Sequence, residues 1–380
     1  MAKPRVLVFI DWYAPGYKAG GPVRSLVNLV DHLRDRIDFH IVTCNTDYTE
    51  TTAYAGITPD CWTTLPGGER VWYASATGTS RKAWKRILAD GPWDALYING
   101  LYSWRYNILP LWLSQRMAMR RVVAVRGMLA SGAMKHGALK KLLFLSLARM
   151  MDLYKDVRFQ ATNAEEAKDV RLHILKHADV QVVPNLSRKV VPEKQPIVKE
   201  AGAVKLVSVA RIAVEKNTLL AVESLRGAKG NVQFNLYGPV YDEAYWAKCR
   251  AAIAGLPANV LVKHCGTVPP EEVPAVLAGH HALFMPSAGE NFGHTMLEAL
   301  SAGRPLLISD RTPWRGLEAD HAGWDLPLDR LEGFTEAVER LCAMDQAEYE
   351  QWSAGALERG RHYVDNAGPV EASMGMFSGN

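Results

Sequence analysis

Glu290 and Glu298, two glutamates with seven residues between them, lie in the segment of this chain that most clearly indicates a binding or catalytic site. Glu290 lies in a glycine-containing turn after the apolar run 281–286, and Glu298 lies on the helix-like stretch that follows. A strand, a turn and a helix in this order attract anions, because free N–H groups and the helix dipole point at the turn. Carboxylates in the same place accept hydrogen bonds from hydroxyls. We therefore expect a ligand with both phosphate and hydroxyl groups, as in a nucleotide sugar.

Each glutamate also has a simpler interpretation. Glu290 could cap the helix, and Glu298 could lie on its surface. However, Glu298 is embedded in the sequence Met-Leu-Glu-Ala-Leu, and a glutamate among buried neighbours needs a partner. We favour ligand binding for both, with Gly293 allowing the chain to pass close to the ligand.

Two cations, Arg211 and Lys216, follow the strand predicted at 205–209. They therefore lie beyond the carboxyl end of that strand, which is where open α/β sheets bind ligands. Arg offers a bidentate fork and Lys a point charge, which suits a diphosphate. Solvated loop cations are the alternative, since most Lys and Arg are exposed. Gly20 and Gly21 likewise either let the backbone approach a ligand or form an ordinary tight loop. Their spacing is not that of a dinucleotide-binding G-x-G-x-x-G motif.

Strand-like and helix-like segments alternate along both halves of the chain. Continuous apolar runs are typical of parallel strands that are buried on both faces. We predict strands at 6–11, 39–43, 71–74, 95–99, 122–125, 159–162 and 180–183 in the first half, and at 205–209, 233–237, 260–263, 282–285 and 306–309 in the second. Two successive series of this kind predict two doubly wound α/β domains with a cleft between them.

The chain length of 380 residues also favours two domains. Segment 183–196, which is rich in proline and charged residues, interrupts the alternation of strands and helices and is typical of a linker between domains. We expect an N-terminal domain at 1–184, a linker at 185–200, a C-terminal domain at 201–345 and a closing helical segment at 346–380 that crosses back to the first domain.

Composition excludes several classes of protein. Apolar residues make up 48% and charged residues 22% of the chain, as in soluble globular proteins. We find no apolar run of 18 residues, we expect no secretory leader, and the five scattered cysteines suggest neither disulfides nor a zinc site. We therefore expect a cytoplasmic protein. Residues 1–189 hold 27 Lys and Arg against 16 Asp and Glu, whereas residues 190–380 hold 17 against 24. The first half should therefore face an anionic partner.

The motifs together resemble those of the family 4 (group 1) retaining glycosyltransferases, which have the GT-B fold of two Rossmann-like domains facing across a cleft. The resemblance covers nearly the whole chain. In the second half it rests on Arg211, Lys216, Tyr237-Gly238, Gly266, Pro286-Ser287, the two-glutamate segment and 302–305, and in the first half on 20–24, 99–100 and 184–185.

The resemblance implies a role for each matching residue. Arg211 and Lys216 would bind the donor diphosphate and stabilise the departing nucleotide diphosphate. Glu290 would act in catalysis beside them by contacting the hydroxyls of the donor sugar, and Glu298 would bind the ribose. The other donor-binding positions, largely through their backbone, would be Gly20, Gly21, Gly238, Gly266, Asn291, Phe292 and Gly293.

One position departs from the family pattern. Many relatives carry a histidine at the end of the strand predicted at 122–125, where this chain has Arg126. A guanidinium cannot act as a general base at neutral pH, so the role of the histidine does not transfer. We expect Arg126 and Arg24 on the acceptor or phosphate side, and His136 or His294 as a substitute base would be a guess.

The implied retaining reaction needs little acid–base chemistry from the protein, because the donor phosphate can itself take the acceptor proton. The sequence contains no D-x-D triplet. This agrees with stabilisation of the leaving group by side chains and a helix start. We expect no metal and no cofactor, since the nucleotide sugar is a substrate.

The acceptor side belongs to the basic half. Segment 134–151 combines Lys135, Lys140, Lys141 and Arg149 with Leu and Phe, which is typical of a helix at an anionic membrane surface. The alternative is a core-packing helix with a solvated basic edge. We expect peripheral docking on the inner face of a membrane, and a saccharide or polyprenyl-diphosphate-linked saccharide as acceptor.

The predicted function is therefore a retaining, metal-independent hexosyltransferase of surface polysaccharide, lipopolysaccharide or glycolipid biosynthesis. A sugar-nucleotide epimerase with the same fold has less support. A catalytically silent relative that binds sugar nucleotide or scaffolds an assembly stays open. Nucleic acid is not an expected partner, because the basic half contains no recognisable nucleic-acid-binding motif.

Overall fold

The computed structural model describes residues 2–135, 137–189 and 191–377. The chain forms two compact units. Unit 1 comprises Met1–Lys189 together with Ala367–Asn380, and unit 2 comprises Val190–Asn366. Each unit is built around a mainly parallel sheet with helices between the strands.

The described residues of unit 1 form an eight-stranded sheet with the order β3-β4-β2-β1-β5-β6-β7-β8. Strand β3, at one edge, is antiparallel to β4, and the remaining pairs are parallel. The strands are β1 (Arg5–Phe9), β2 (Asp38–Cys44), β3 (Trp62–Thr64), β4 (Arg70–Ala74), β5 (Ala95–Asn99), β6 (Arg120–Ala124), β7 (Val157–Ala161) and β8 (Asp179–Val182).

Helices connect these strands. They are α1 (Gly21–Leu33), α2 (Arg81–Ala89), α3 (Leu109–Leu113), α4 (Ser131–Lys135), α5 (Ala138–Met150) and α6 (Ala164–His173), with a π-helical turn at Trp104–Ile108 before α3. Pro22 lies in the first turn of α1, where its missing N–H costs no hydrogen bond.

The described residues of unit 2 form a six-stranded sheet with the order β11-β10-β9-β12-β13-β14, and all of its pairs are parallel. Its strands are β9 (Ala203–Val209), β10 (Asn231–Tyr237), β11 (Val260–His264), β12 (Ala282–Met285), β13 (Leu306–Ser309) and β14 (Gly323–Leu326). Its helices are α7 (Thr218–Ser224), α8 (Glu243–Ala254), α9 (Val273–Ala278), α10 (His294–Ser301), α11 (Leu331–Ala343) and α12 (Gln346–Val364).

Residues 346–380 were expected as one closing helical segment, but their described part, 346–377, contains two helices. The first, α12, packs within unit 2, where Trp352 is buried in the core. The second, α13 (Gly368–Phe377), belongs to unit 1. There Phe377 contacts the rings of Phe39 and Tyr97. The chain therefore returns to unit 1 after Asn366.

The apolar cores lie on both faces of each sheet. In β1, Leu7 and Phe9 pack into one cluster, whereas Val6 and Val8 pack into another. Since successive residues of a strand point to opposite faces, a strand covered on both sides must be apolar throughout. This explains why the continuous apolar runs of the sequence predicted these strands correctly.

Candidate functional site

The predicted donor-binding residues of unit 2 follow the carboxyl ends of four neighbouring strands. Arg211 and Lys216 follow β9, Gly238 follows β10, Gly266 follows β11, and the segment 290–293 follows β12. The chain builds the sheet outward from β9 through β10 to β11, and then returns to add β12 on the other side of β9. The β9–β12 boundary is therefore the topological switch point, where open α/β sheets bind ligands.

Lys216 and Glu290 meet across this switch point. Lys216 Nζ lies 2.5 Å from Glu290 Oε1, with side chains that are only 19% and 13% exposed. The Ser287 hydroxyl donates a second hydrogen bond to the same carboxylate oxygen at 2.8 Å. A charge-assisted hydrogen bond of this kind fixes both side chains before any ligand arrives.

The turn that carries Glu290 is held from the neighbouring strand. Ser309 Oγ, at the end of β13, donates to the carbonyl oxygen of Ser287 at 2.5 Å. The Glu290 N–H donates to the carbonyl oxygen of Arg311 at 3.2 Å. The sequence did not indicate Ser309 as a support, because its contact with Ser287 depends on β12 and β13 being neighbours. The contact from Ser287 to Glu290, three positions apart in the same turn, was also missed.

The loop that carries Lys216 is fixed to the same turn. Asn217, with a φ of 52°, donates from Nδ2 to the carbonyl oxygen of Pro286 at 2.9 Å. The Ala288 N–H donates to the carbonyl oxygen of Glu215 at 2.9 Å. The two loops at the switch point are thus joined by backbone as well as by side chains, which preorganises the site.

Arg211 is paired with a glutamate on its own loop. Its Nη2 lies 3.0 Å from Glu215 Oε1, and both side chains are substantially exposed. An exposed pair of this kind stabilises little, so the guanidinium can exchange its partner at small cost. In the structure, therefore, each of the two predicted diphosphate cations has a carboxylate partner.

The segment after Glu290 leads into α10 through Gly293. Gly293 has a φ of 79°, which favours glycine, and a Cβ there would lie 2.7 Å from Met296 Sδ. The Phe292 side chain is buried, and its carbonyl oxygen accepts a hydrogen bond from Trp314 Nε1 at 2.8 Å. Glu298 lies half-buried on α10, and Asn291 is half-buried in the turn.

Gly238 and Gly266 are joined at the ends of β10 and β11. The Gly238 N–H donates to the carbonyl oxygen of Gly266 at 2.8 Å, and His264 Nε2 lies 2.8 Å from the carbonyl oxygen of Gly238. At Gly238 the φ is 152° and a Cβ would lie 1.9 Å from the carbonyl oxygen of Ala210. Only glycine lets this backbone lie against the residue that precedes Arg211.

The predicted residues of unit 1 lie at the carboxyl edge of its own sheet. Gly20, with a φ of 76°, and Gly21 begin α1, and a Cβ at either position would have no neighbour within 4 Å. Arg24 lies half-buried in the first turn of α1. Arg126 follows β6 and has a φ of 53°.

The Arg126 guanidinium is held by three neutral side chains. Nε donates to Asn99 Oδ1 at 2.7 Å, Nη2 donates to the Tyr97 hydroxyl at 2.7 Å, and Nη1 donates to Asn185 Oδ1. Asn99 also donates to the carbonyl oxygen of Pro22 at 3.3 Å, which connects Arg126 to the start of α1. The sequence did not reveal this network. The partners of Arg126 come from β5 and from the segment after β8, whereas Arg126 itself follows β6.

Helix α5 presents large apolar side chains to solvent. Leu139, Leu143 and Met150 are 82%, 60% and 76% exposed, and Leu142 and Leu147 are also exposed. These positions recur at helical spacing and therefore form one face, whereas Leu145 and Ala148 on the opposite face are buried. The side chain of Lys135 and residue His136, both of interest in the sequence, lie outside the part of the chain that is described.

The described residues contain neither a candidate metal cluster nor a candidate membrane span. In the described ranges, we find no group of three or more His, Cys, Asp or Glu side chains placed to hold a metal ion. Among the helices of the same ranges, none is long and apolar enough to cross a bilayer.

Residues 190–359 match the family model described as glycosyl transferases group 1. This confirms the resemblance inferred from the sequence motifs, over nearly all of unit 2. No curated protein matches the chain.

Solved glycosyltransferase structures are similar over almost the full chain. Anabaena HepE in complex with UDP and glucose has a TM-score of 0.69 at 14% identity, with 98% of each chain covered. Sucrose-phosphate synthase from Thermosynechococcus elongatus has a TM-score of 0.70 at 15% identity, again with 98% of each chain covered. WaaG, a glycosyltransferase involved in lipopolysaccharide biosynthesis, has a TM-score of 0.62 at 16% identity, with 99% of this chain and 100% of WaaG covered. The fold is thus the predicted GT-B fold.

Proposed function

We propose that this GT-B protein, whose second unit is a group 1 glycosyltransferase domain, is a retaining hexosyltransferase. It would move a sugar from a nucleotide-diphosphate donor to a saccharide or a lipid-linked saccharide. The pathway would build a bacterial surface polysaccharide, lipopolysaccharide or glycolipid.

The observation that carries this proposal is the Lys216–Glu290 pair at the switch point of unit 2. The pair places a cation for phosphate and a carboxylate for sugar hydroxyls side by side. A nucleotide sugar has both groups where its diphosphate joins its sugar. The complexes of HepE with UDP and glucose and with UDP-glucose support this class of donor.

The donor would rearrange the ion pairs of the site. Lys216 would form an ion pair with the diphosphate of the donor. Arg211 would leave its exposed pair with Glu215 and form a bidentate contact with the same diphosphate. Glu290 would then accept hydrogen bonds from the donor sugar while Ser287 holds its carboxylate in place. The remaining donor contacts we propose are those of Glu298 and of the backbone at 238, 266 and 291–293.

The chemical step would depend on the charge of the leaving group. As the bond to the diphosphate breaks, negative charge grows on its oxygens, and fixed cations that face this charge lower the barrier. The donor phosphate would take the acceptor proton on the face from which it leaves, so the anomeric configuration is retained. We propose that no metal takes part, which the lack of a D-x-D triplet in the sequence supports.

The acceptor would bind at unit 1, with Arg126 and Arg24 on the acceptor or phosphate side. The exposed apolar face of α5 supports a lipid-linked acceptor at a membrane surface. Its leucines and methionine are flanked by the exposed cation Lys140, and apolar side chains beside cations suit the boundary of an anionic bilayer. We propose peripheral binding on the cytoplasmic face of the membrane.

One assay separates this function from that of a silent relative. The wild-type protein is incubated with UDP-, GDP- and ADP-sugars and octyl glycosides, and the release of nucleoside diphosphate is measured. The account predicts release from one nucleotide class, with a product whose anomeric configuration, by NMR, is that of the donor. Nucleotide binding without release or transfer would favour the silent relative, and an inverted product would rule out retention.

The variant Glu290→Gln gives this assay its control. The amide has the same shape and can still accept the hydrogen bond from Ser287, but it lacks the negative charge. We expect turnover to fall by about 100-fold or more, because the residue would contact the reacting sugar. A variant as active as the wild type would show that Glu290 is not required for catalysis.

A further inference from the structure

Unit 1 has a switch point of its own, where Asp11 and Ser103 meet. The chain adds strands on one side of β1 and later returns to place β5 on its other side. Asp11 follows β1, and Ser103 follows β5. The Ser103 hydroxyl donates to Asp11 Oδ1 at 2.6 Å. The position of this contact in unit 1 corresponds to that of the Lys216–Glu290 pair in unit 2. Both lie at the carboxyl edge of the sheet, where open α/β sheets bind ligands.

The Asp11 carboxylate differs from Glu290 because no cation accompanies it. Within the described ranges, it forms no ion pair with a Lys or Arg side chain, and Asp11 is half-buried, so part of the residue faces solvent. Burial raises the pKa of Asp11, whereas the hydrogen bond from Ser103 lowers it. A partly desolvated carboxylate without a cation is destabilising when ionised.

The surroundings hold this carboxylate in one place. The backbone carbonyl oxygen of Asp11 accepts hydrogen bonds from Thr43 Oγ1 at 3.1 Å and from the Cys44 N–H at 3.2 Å. Ser103 is fixed in turn, because its hydroxyl oxygen accepts the Tyr106 N–H at 3.3 Å at the start of the π-helical turn. A buried neighbour, Tyr13, anchors the loop that follows.

A purely structural role does not require the charge. Asparagine has the same shape and would accept the same hydrogen bond from Ser103, without the cost of desolvating a carboxylate. A charged group at a ligand-binding edge, held in one place and only half-buried, is instead suited to accept a hydrogen bond from a ligand. Sugar hydroxyls are donors of this kind.

We propose that Asp11 is an acceptor-binding residue, whose carboxylate accepts a hydrogen bond from a hydroxyl of the saccharide acceptor. The inference rests on the proposed function, because it assigns the acceptor to unit 1. It adds a specific contact that selects a hydroxylated acceptor.

The test compares Asp11→Asn with the wild type in two reactions of the full chain. Hydrolysis of the nucleotide sugar, with water as the acceptor, reports on the donor side. Transfer to octyl glycosides of glucose, galactose, mannose and N-acetylglucosamine reports on the acceptor side. We expect the ratio of transfer to hydrolysis to fall about tenfold or more in Asp11→Asn, with unchanged hydrolysis and an unchanged or higher melting temperature. Ser103→Ala, which keeps the carboxylate, should lower the ratio less.

An unchanged ratio in Asp11→Asn would overturn the proposal, and so would an equal loss of transfer and hydrolysis. Failure of the proposed function would look different, because the wild type would then hydrolyse no nucleotide sugar. In that event, binding of the same glycosides is measured by saturation-transfer NMR. Binding that is lost in Asp11→Asn would support the contact, whereas equal binding or none would refute it.

Discussion

Lys216 and Glu290, 74 positions apart in the sequence, form a 2.5 Å ion pair where β9 and β12 lie side by side. The pair is largely buried, and Ser287 donates a further hydrogen bond to it. Both side chains are therefore in place without a ligand. A donor diphosphate would have to compete with Glu290 for Lys216, so the pair connects the stability of unit 2 to donor binding.

Removing Lys216 should destabilise unit 2. In Lys216→Ala, the Glu290 carboxylate stays largely buried without its cation, and we expect a loss of about 2 kcal/mol in the free energy of unfolding. The double variant Lys216→Ala/Glu290→Gln removes the stranded charge and should recover part of this loss. Chemical denaturation followed by tryptophan fluorescence measures both. Equal stability of the single and double variants would show that the Glu290 charge costs nothing when Lys216 is removed, which would contradict this account.

Gly238 should tolerate no side chain. In Gly238→Ala, the new Cβ would meet the carbonyl oxygen of Ala210 and the φ of 152° would be strained. We expect a loss of about 3 kcal/mol or more. Gly266→Ala is the matched control, since its φ is 79° and a Cβ there has no neighbour within 4 Å, so it should lose only about 1–2 kcal/mol. Thermal melting of the two variants checks the difference, and equal melting temperatures would contradict the close approach at Gly238.

His281 should make unit 2 sensitive to acid. Burial lowers the pKa of His281 to about 4. Its Nδ1 accepts a hydrogen bond from the Lys205 N–H at 2.9 Å, which requires the neutral ring. The unfolded chain binds a proton at a pKa of about 6.5, so the stabilisation is complete above that pH and decreases as the pH falls from about 6.5 towards 4.

A variant without this titration separates the histidine from other acid effects. His281→Asn can still accept from the Lys205 N–H but cannot be protonated in this range. Between pH 7 and 5, unfolding free energies should fall by about 1–2 kcal/mol more in the wild type than in the variant. Burial also lowers the pKa of the neighbouring His280, so His281→Asn should remain partly sensitive to acid. Parallel pH profiles of the two proteins would contradict the assignment.

The exposed face of α5 should control binding to lipid. Flotation with vesicles that contain phosphatidylglycerol should recover the wild type at low salt and less of it at high salt. The triple variant Leu139→Ser/Leu143→Ser/Met150→Ser should float much less, because it removes most of the apolar area. Leu172→Ser, at an exposed position on α6, is the control and should float as the wild type does. A wild type that stays in solution at low salt would refute membrane docking.

The sequence predicted the strands well because both sheets are covered on both faces. Every predicted strand is present, with ends that differ by at most two residues. Strands β3 and β14, each at a sheet edge, were missed. Their sequences, Trp-Thr-Thr and Gly-Trp-Asp-Leu, contain no continuous apolar run.

The candidate site was only partly predictable. The sequence indicated Lys216 and Glu290 separately, because each follows an apolar run, but their contact depends on the order of strands in the sheet. The same holds for the Ser309–Ser287 contact and for the Asp11–Ser103 contact across the β1–β5 boundary. Hydrogen-bond partners between distant loops are set by topology, and local sequence patterns do not encode it.

Calorimetric titration of UDP, GDP and ADP into the wild type and Lys216→Ala tests the central claim most directly. The account predicts that one of these nucleotides binds the wild type, and that Lys216→Ala binds it about tenfold or more weakly, because a charge-assisted contact to the diphosphate is lost. Lys248→Ala, which removes an exposed cation on α8, should bind as the wild type does. Equal affinity in Lys216→Ala and the wild type, or no binding of any of the three nucleotides, would contradict a donor site at the Lys216–Glu290 pair.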